Sequence, residues 1–286
     1  MRWTIFLTRR TRKLNNSLGK KLLNAPYLVW SAIFIVVPLA VVAYYAFTDA
    51  NGNFTLQNIV ELGTYKDTFL LSIVFSFIAT VVCLLLAYPF AYFMSQMKAS
   101  SQRMMMLLIM LPMWMNLLIR TYSWITILDN KGIINSLLGM FGVGPIKMLG
   151  TPFAVILGMI YNYLPYMILP IYNIMVKIEG PLIEAADDLG ANAWNKLRRV
   201  ILPMSLPGVV SGIIMVFVPS ISTFYISQKL GEGKYMMIGN AIERQFMESA
   251  NYNLGASLSL VLMILILICT AIMNRFSDSE GGEIVV

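Results

Sequence analysis

Six apolar runs, at about 26–47, 68–94, 104–127, 152–176, 204–226 and 254–275, constrain this chain most, because each approaches the roughly 20 residues a helix needs to cross a membrane. Composition agrees: 58% of the 286 residues are hydrophobic, 12% are charged and the mean hydropathy is +0.72, too apolar for a soluble domain. The expected fold is all-α, a polytopic membrane protein with six transmembrane helices. No repeat, low-complexity tract or linker divides it. Residues 26–275 read as one membrane domain between a basic N-terminal tail, 1–25, and a C-terminal tail, 276–286.

Six crossings put both termini on one side of the membrane, and basic residues say which. Arg2, Arg9, Arg10, Arg12, Lys13, Lys20 and Lys21 lie in the tail, Lys98 and Arg103 after the second run, Lys177, Lys196, Arg198 and Arg199 after the fourth, and Arg275 at the end of the sixth. Together they are 14 of the 21 lysines and arginines, so these segments are expected to be cytoplasmic. A signal peptide suits the tail less well, because the apolar run that follows begins near Pro26 and is long enough to span. Beside a membrane helix the tail reads as a topology signal and a contact for anionic lipid rather than a nucleic-acid site. On the opposite side the longest loop is expected at about 128–151, with its middle part, near 133–141, as a short interfacial helix.

Several chemistries are excluded early. There is no histidine, and Cys83 and Cys269 sit singly in apolar runs, so free thiols are expected rather than a disulfide framework or a zinc site. No glycine-rich GxxxxGK[ST] phosphate loop is present, so any ATP hydrolysis belongs to another chain. The six runs hold no Asp or Glu, and Arg120 is their one deeply placed charge. An ion-coupled secondary transporter or channel usually needs ionisable groups at mid-membrane, which argues against that alternative.

The most polar interior stretch runs from 180 to 203, GPLIEAADDLGANAWNKLRRVILP. Pro181 suits the first turn of a helix, Glu184, Asp187 and Asp188 are read as lying early in it, and Gly190 is expected to stop it. Leu182, Ala185, Ala186 and Leu189 fall on one face. Asn192 then caps a second helix bearing Lys196, Arg198 and Arg199, expected to close at Leu202-Pro203. A polar loop and a docking device are both open readings of such a stretch. Its spacing, Glu184-Ala185-Ala186, Gly190, Val200 and Leu202-Pro203, resembles the EAA signature of membrane subunits of ABC importers, with Val200 where isoleucine is common. The resemblance implies that Glu184, Ala185, Ala186, Asp187, Gly190, Leu202 and Pro203 couple this chain to a cytoplasmic ATPase.

Within the membrane the polar signals are aromatic, amide and hydroxyl groups. The third run carries Trp114, Asn116, Arg120, Tyr122 and Trp124, and the fourth Tyr161, Asn162, Tyr163 and Tyr166. Tyr122 and Trp124, near a helix end, read as interface anchors, whereas Trp114 is placed roughly 15 Å deep, where anchoring no longer accounts for it. Arg120 is expected a turn or two below the outer surface, within snorkelling reach of it. In the fifth run Pro219 precedes Ser220, Ser222, Thr223 and Tyr225, either a packing kink or a bent segment whose hydroxyls satisfy the freed carbonyl. Gly208 and Gly212 read as close helix packing, with a second membrane subunit as the expected neighbour.

A wider resemblance covers roughly 26–275. LIRTYSW at 118–124, DNKGIIN at 129–135, YLPYMILPIY at 163–172 and the run from Val218-Pro219 to Ile238-Gly239-Asn240 are similar to permeases of the spermidine/putrescine branch of ABC importers. This implies the type I ABC importer permease fold in a bacterial plasma (inner) membrane. It also implies a paralogous permease subunit, a cytoplasmic ABC ATPase dimer that holds ATP and Mg, and an external solute-binding protein; this chain itself would bind no cofactor. A polyamine substrate would find aromatic and neutral-oxygen contacts at Trp114, Asn116, Tyr161, Asn162, Tyr163, Tyr166, Ser222 and Tyr225, with carboxylates left to the partner permease and Arg120 turned to lipid headgroups or a neighbouring acid. Related permeases carry other small solutes, which is the alternative, and a purely structural subunit is the third reading.

Overall fold

Each apolar run folds as helix, but its ends and breaks fall where proline, glycine and capping side chains put them. The structure, a computed structural model, describes residues 26–281 except 28 and 179, with side chains as far as 275. The basic stretch 1–25 lies outside the described residues. Helix α1, Val29–Ala46, includes a π turn at Ala32–Val36. Helix α2, Gln57–Glu61, leads through a 3₁₀ turn into α3, Lys66–Ser95. Then come α4, Ala99–Trp114, α5, Leu117–Leu128, α6, Ile133–Met140, and α7, Pro152–Met175. Two short helices follow, α8, Gly180–Asp188, and α9, Ala193–Lys196. The chain continues as α10, Leu202–Ile221, α11, Tyr225–Leu230, α12, Ile238–Met247, and α13, Tyr252–Gly281.

Five of these stretches are long and apolar enough to cross a membrane, and α4 with the helical stretch that begins at Leu117 makes a sixth if counted as one span. That third run is not the continuous helix the sequence suggests, for it bends by 92°. Pro112 removes one N–H from the last turn of α4, and Met115 is extended (ψ 144°). Asn116 then starts α5 by accepting a hydrogen bond from the Leu118 N–H at 2.7 Å.

Helix α7 lies at the centre, packed against both α3 and α10, which also meet each other. Thr151 caps it, its hydroxyl accepting from the Ala154 N–H at 3.3 Å, and Pro152 occupies the first turn, where no N–H is missed. Against lipid, burial of apolar groups is a weak driving force and close packing has to serve instead. Gly208 and Gly212 supply it: a Cβ on Gly208 would lie 2.8 Å from the Pro170 carbonyl oxygen, and one on Gly212 would lie 2.7 Å from the Met167 sulfur. These glycines therefore seat α10 on α7 of the same chain, a correction to the expectation of a second subunit there.

The two ends of the bundle differ. One holds the α8–α9 elbow; the other, the cap end, holds α6, α11 and α12. Helix α6 is the short helix expected near 133–141, with Leu137, Met140 and Phe141 exposed. The longer connection is the one after α10, not 128–151, because α11 and α12 are both folded into it. A buried polar network pins it. Asn240 accepts from the Ser227 hydroxyl at 2.6 Å and the Met237 N–H at 3.1 Å, and donates to the Phe224 carbonyl at 2.8 Å. The Ile238 N–H donates to the Ser72 hydroxyl on α3 at 2.7 Å, which ties the cap to the bundle.

Candidate functional site

At the elbow, α8 ends as its glycine dictates. Gly190 adopts φ +77°, and the Ala191 and Gly190 N–H groups donate to the Ala186 and Asp187 carbonyls at 3.0 and 2.8 Å. This is a Schellman stop, which a side chain at 190 would strain. The acids are later in the helix than the sequence reading placed them: none lies in the first turn, and Asp187 and Asp188 close the last, at the negative end of the dipole. Lys196 compensates, its ammonium 2.7 Å from the Asp187 carboxylate, so the pair braces α8 against α9. Asn192 caps α9 as expected, accepting from the Asn195 N–H at 2.8 Å.

Leu202-Pro203 does not close a helix. Leu197–Ile201 form a π turn in which the Leu202 N–H reaches back five residues to the Leu197 carbonyl. The wider turn makes room for the Pro203 ring where an α-helix would drive it into the carbonyl four residues back. One helical rod thus runs from Ala193 to Ile221. No residue of α8 is buried; Glu184 and Ala185 are exposed, Leu189 is 89% exposed and Trp194 on α9 is 65% exposed. The apolar face read from the sequence is present, and among the described residues none buries Leu182, Ala185 or Leu189.

At the far end of that rod the aromatic groups fall into pairs. Tyr163 and Tyr166 lie 6.5 Å apart, and the Tyr163 hydroxyl donates to the Pro219 carbonyl at 3.3 Å. Ser222 donates to the same carbonyl and to that of Val218, both at 3.3 Å. These are last-turn carbonyls, so the hydroxyls finish α10 rather than repair the bond lost at Pro219. Tyr161 stands edge-on to Trp124 at 5.3 Å and lines an apolar groove of about 400 Å³ with Leu86, Phe90 and Pro112. Tyr225 stands edge-on to Tyr122 at 6.4 Å. Trp114, at the bend after α4, is 75% exposed.

Other expected contacts are spent on the backbone. Asn116 is the cap of α5, and Asn162 donates to the Gly158 carbonyl at 2.8 Å, leaving its oxygen buried without a partner. Arg120 is 7% exposed, with Nε and Nη1 unpaired among the described residues, so its guanidinium does not reach the surface of this chain as snorkelling would require.

A family model described as binding-protein-dependent transport system inner membrane component matches residues 87–279. The chain belongs to that family. It is 36% identical over 273 residues to the spermidine/putrescine transport system permease protein PotB of Haemophilus influenzae, covering 92% of this chain and 96% of that one. It is 35% identical over 245 residues to PotB of Escherichia coli K12, covering 82% and 89%. Among solved structures, a bacterial ABC transporter involved in import of the acidic polysaccharide alginate superposes with a TM-score of 0.74 at 18% identity, over 94% of this chain and 99% of that chain. The same fold occurs in an alginate transporter in complex with its pentasaccharide-bound periplasmic protein, also at a TM-score of 0.74 and 18% identity, over 93% and 97%.

For a permease of this family, sequence reasoning overlooked Lys229. Its ammonium sits 6.0 Å from the Tyr122 ring centroid and 5.9 Å from that of Tyr225. The available signal was spacing: Tyr225 and Lys229 are four apart, so they share a face if the segment is helical. Tyr122, read as an anchor, is the other half of the pair.

Proposed function

We propose that this chain is one of two different permease subunits of an ATP-driven importer that takes up polyamines handed over by an external binding protein. The observation that carries the importer reading is the braced, uncovered α8 at the head of the rod Ala193–Ile221. A helix with small Ala185 and Ala186, flanked by acids, suits a groove with basic rims on an ATPase subunit. By sequence, the tail 1–25, the loops after the second and fourth apolar runs and Arg275 hold 14 of the 21 lysines and arginines, so the elbow and both termini are assigned to the cytoplasm. The cap end then meets the binding protein.

ATP and Mg would be held and used by the partner ATPases. What this chain supplies is transmission. At 1.5 Å per residue the 29-residue rod spans about 43 Å, enough to carry a displacement of α8 across the membrane to Ser222 and Tyr225. The polyamine assignment rests on the names of the relatives and on the aromatic pairs at the end of that rod, since ring faces attract ammonium groups by about 0.5–2 kcal/mol each. The carboxylates that a multiply charged solute also needs are assigned to the partner permease.

Uptake of labelled spermidine, putrescine and unrelated small solutes, compared in cells with and without the gene, tests the substrate. ATP-dependent uptake of the polyamines alone is expected. Loss of a different solute's uptake on deletion, with polyamine uptake unchanged, overturns the assignment.

A further inference from the structure

We propose that Tyr122 and Tyr225 form a seat for a primary ammonium group and that Lys229 is its built-in occupant, displaced when a cationic solute arrives. The inference rests on the cationic solute proposed above. Tyr122 comes from α5 and Tyr225 from α11, and their rings meet at 75°, so two faces bound one corner. Lys229, one turn along α11 from Tyr225, places its ammonium almost equidistant from both centroids, 6.0 and 5.9 Å. Those are its only partners among the described residues. Carboxylates are available at this end: Lys147 and Lys234 both approach Glu232, at 3.9 and 3.3 Å. Lys229 instead sits on aromatic faces, an arrangement that selects cations by ring quadrupole rather than by a counter-charge. Tyr122 is 52% exposed, so the corner is not closed off by the described residues of this chain.

A tethered competitor changes what the seat selects. Its effective concentration is on the order of millimolar, so a solute with one ammonium group gains little by displacing it. A solute with several gains contacts elsewhere at the same time. Lys229 thereby favours polyvalent amines over monoamines.

The test uses the whole purified importer with ε-¹³C-lysine incorporated during expression, the Lys229 signal being identified by its loss in Lys229→Met. The expected signal is ring-shifted upfield and moves toward the free-lysine position on adding spermidine, and on adding butylammonium only at concentrations well above millimolar, but not with butanol. Tyr122→Phe and Tyr225→Phe keep the shift, whereas Tyr122→Leu and Tyr225→Leu abolish it. A Lys229 signal at the free-lysine position, or one that neither amine moves, overturns the seat. In uptake assays Lys229→Met should lower the half-saturating spermidine concentration by about three- to tenfold and narrow the preference over monoamines. An unchanged or raised half-saturation overturns displacement. If butylammonium moves the signal in a wild-type complex that takes up no polyamine, the seat stands and the polyamine assignment falls.

Discussion

The Arg120 guanidinium, buried with two unpaired nitrogens among the described residues, is a costly group, since an uncompensated buried charge costs several kcal/mol. The six apolar runs contain no acidic residue, so Arg120 has no counter-charge to find within them. The assembled importer is therefore expected to supply a carboxylate from the partner permease. Arg120→Met should reduce copurification of that partner several-fold; undiminished copurification together with a raised melting temperature would show instead that the charge is unpaired in the complex. Asn116 poses a simpler question, cap or solute ligand. As a cap, Asn116→Ala should destabilise by about 1 kcal/mol and Asn116→Asp should retain most stability, with uptake following stability in both. Uptake lost in a variant of unaltered melting temperature would give the amide back to the pathway. Neither role was legible in the sequence: residue type shows what Asn116 can bond to, not that Pro112 and an extended Met115 place a helix start there.

At the level of elements, the elbow was largely readable, because its signals are local. Gly190 stops α8 and Asn192 starts α9 where their residue types predict. What escaped was Leu202-Pro203, since a proline normally ends helical structure and only the π turn at Leu197–Ile201 lets the rod pass through it. The acids were likewise placed too early, because helix ends are the least determinable feature of a periodic pattern. Two variants probe the docking assignment. Glu184→Lys reverses a charge on the exposed face of α8, and Gly190→Val forces a branched side chain into φ +77°. Both are expected to lower ATPase copurification and uptake by at least about tenfold, equivalent to 1.4 kcal/mol of interface. Wild-type levels of both in both variants would remove α8 from the interface.

For the whole molecule, the order of the long apolar helices followed from hydropathy, while the path between them did not. The 92° bend, the cap built from α11 and α12, and the seating of α10 on α7 all depend on contacts between residues far apart in the chain. Gly208 and Gly212 hold the middle of α10 closely against α7. On the importer reading proposed above, force applied at the elbow would pivot the rod Ala193–Ile221 about that contact and move Ser222 at its far end, so the protein would act as a lever. The weak point of such a lever is the π turn, where the hydrogen-bond ladder is already irregular. Replacing Arg199 and Val200 together by glycine costs helix propensity at that point, roughly 1 kcal/mol at each position. It leaves α8 and its Asp187–Lys196 brace intact. The double variant is expected to hold the ATPase and to hydrolyse ATP near the wild-type rate, while uptake per ATP falls at least about fivefold because the elbow moves without turning the rod. Simultaneous measurement of hydrolysis and uptake in reconstituted vesicles decides it: uptake that keeps pace with hydrolysis would mean that force reaches the cap end by another helix.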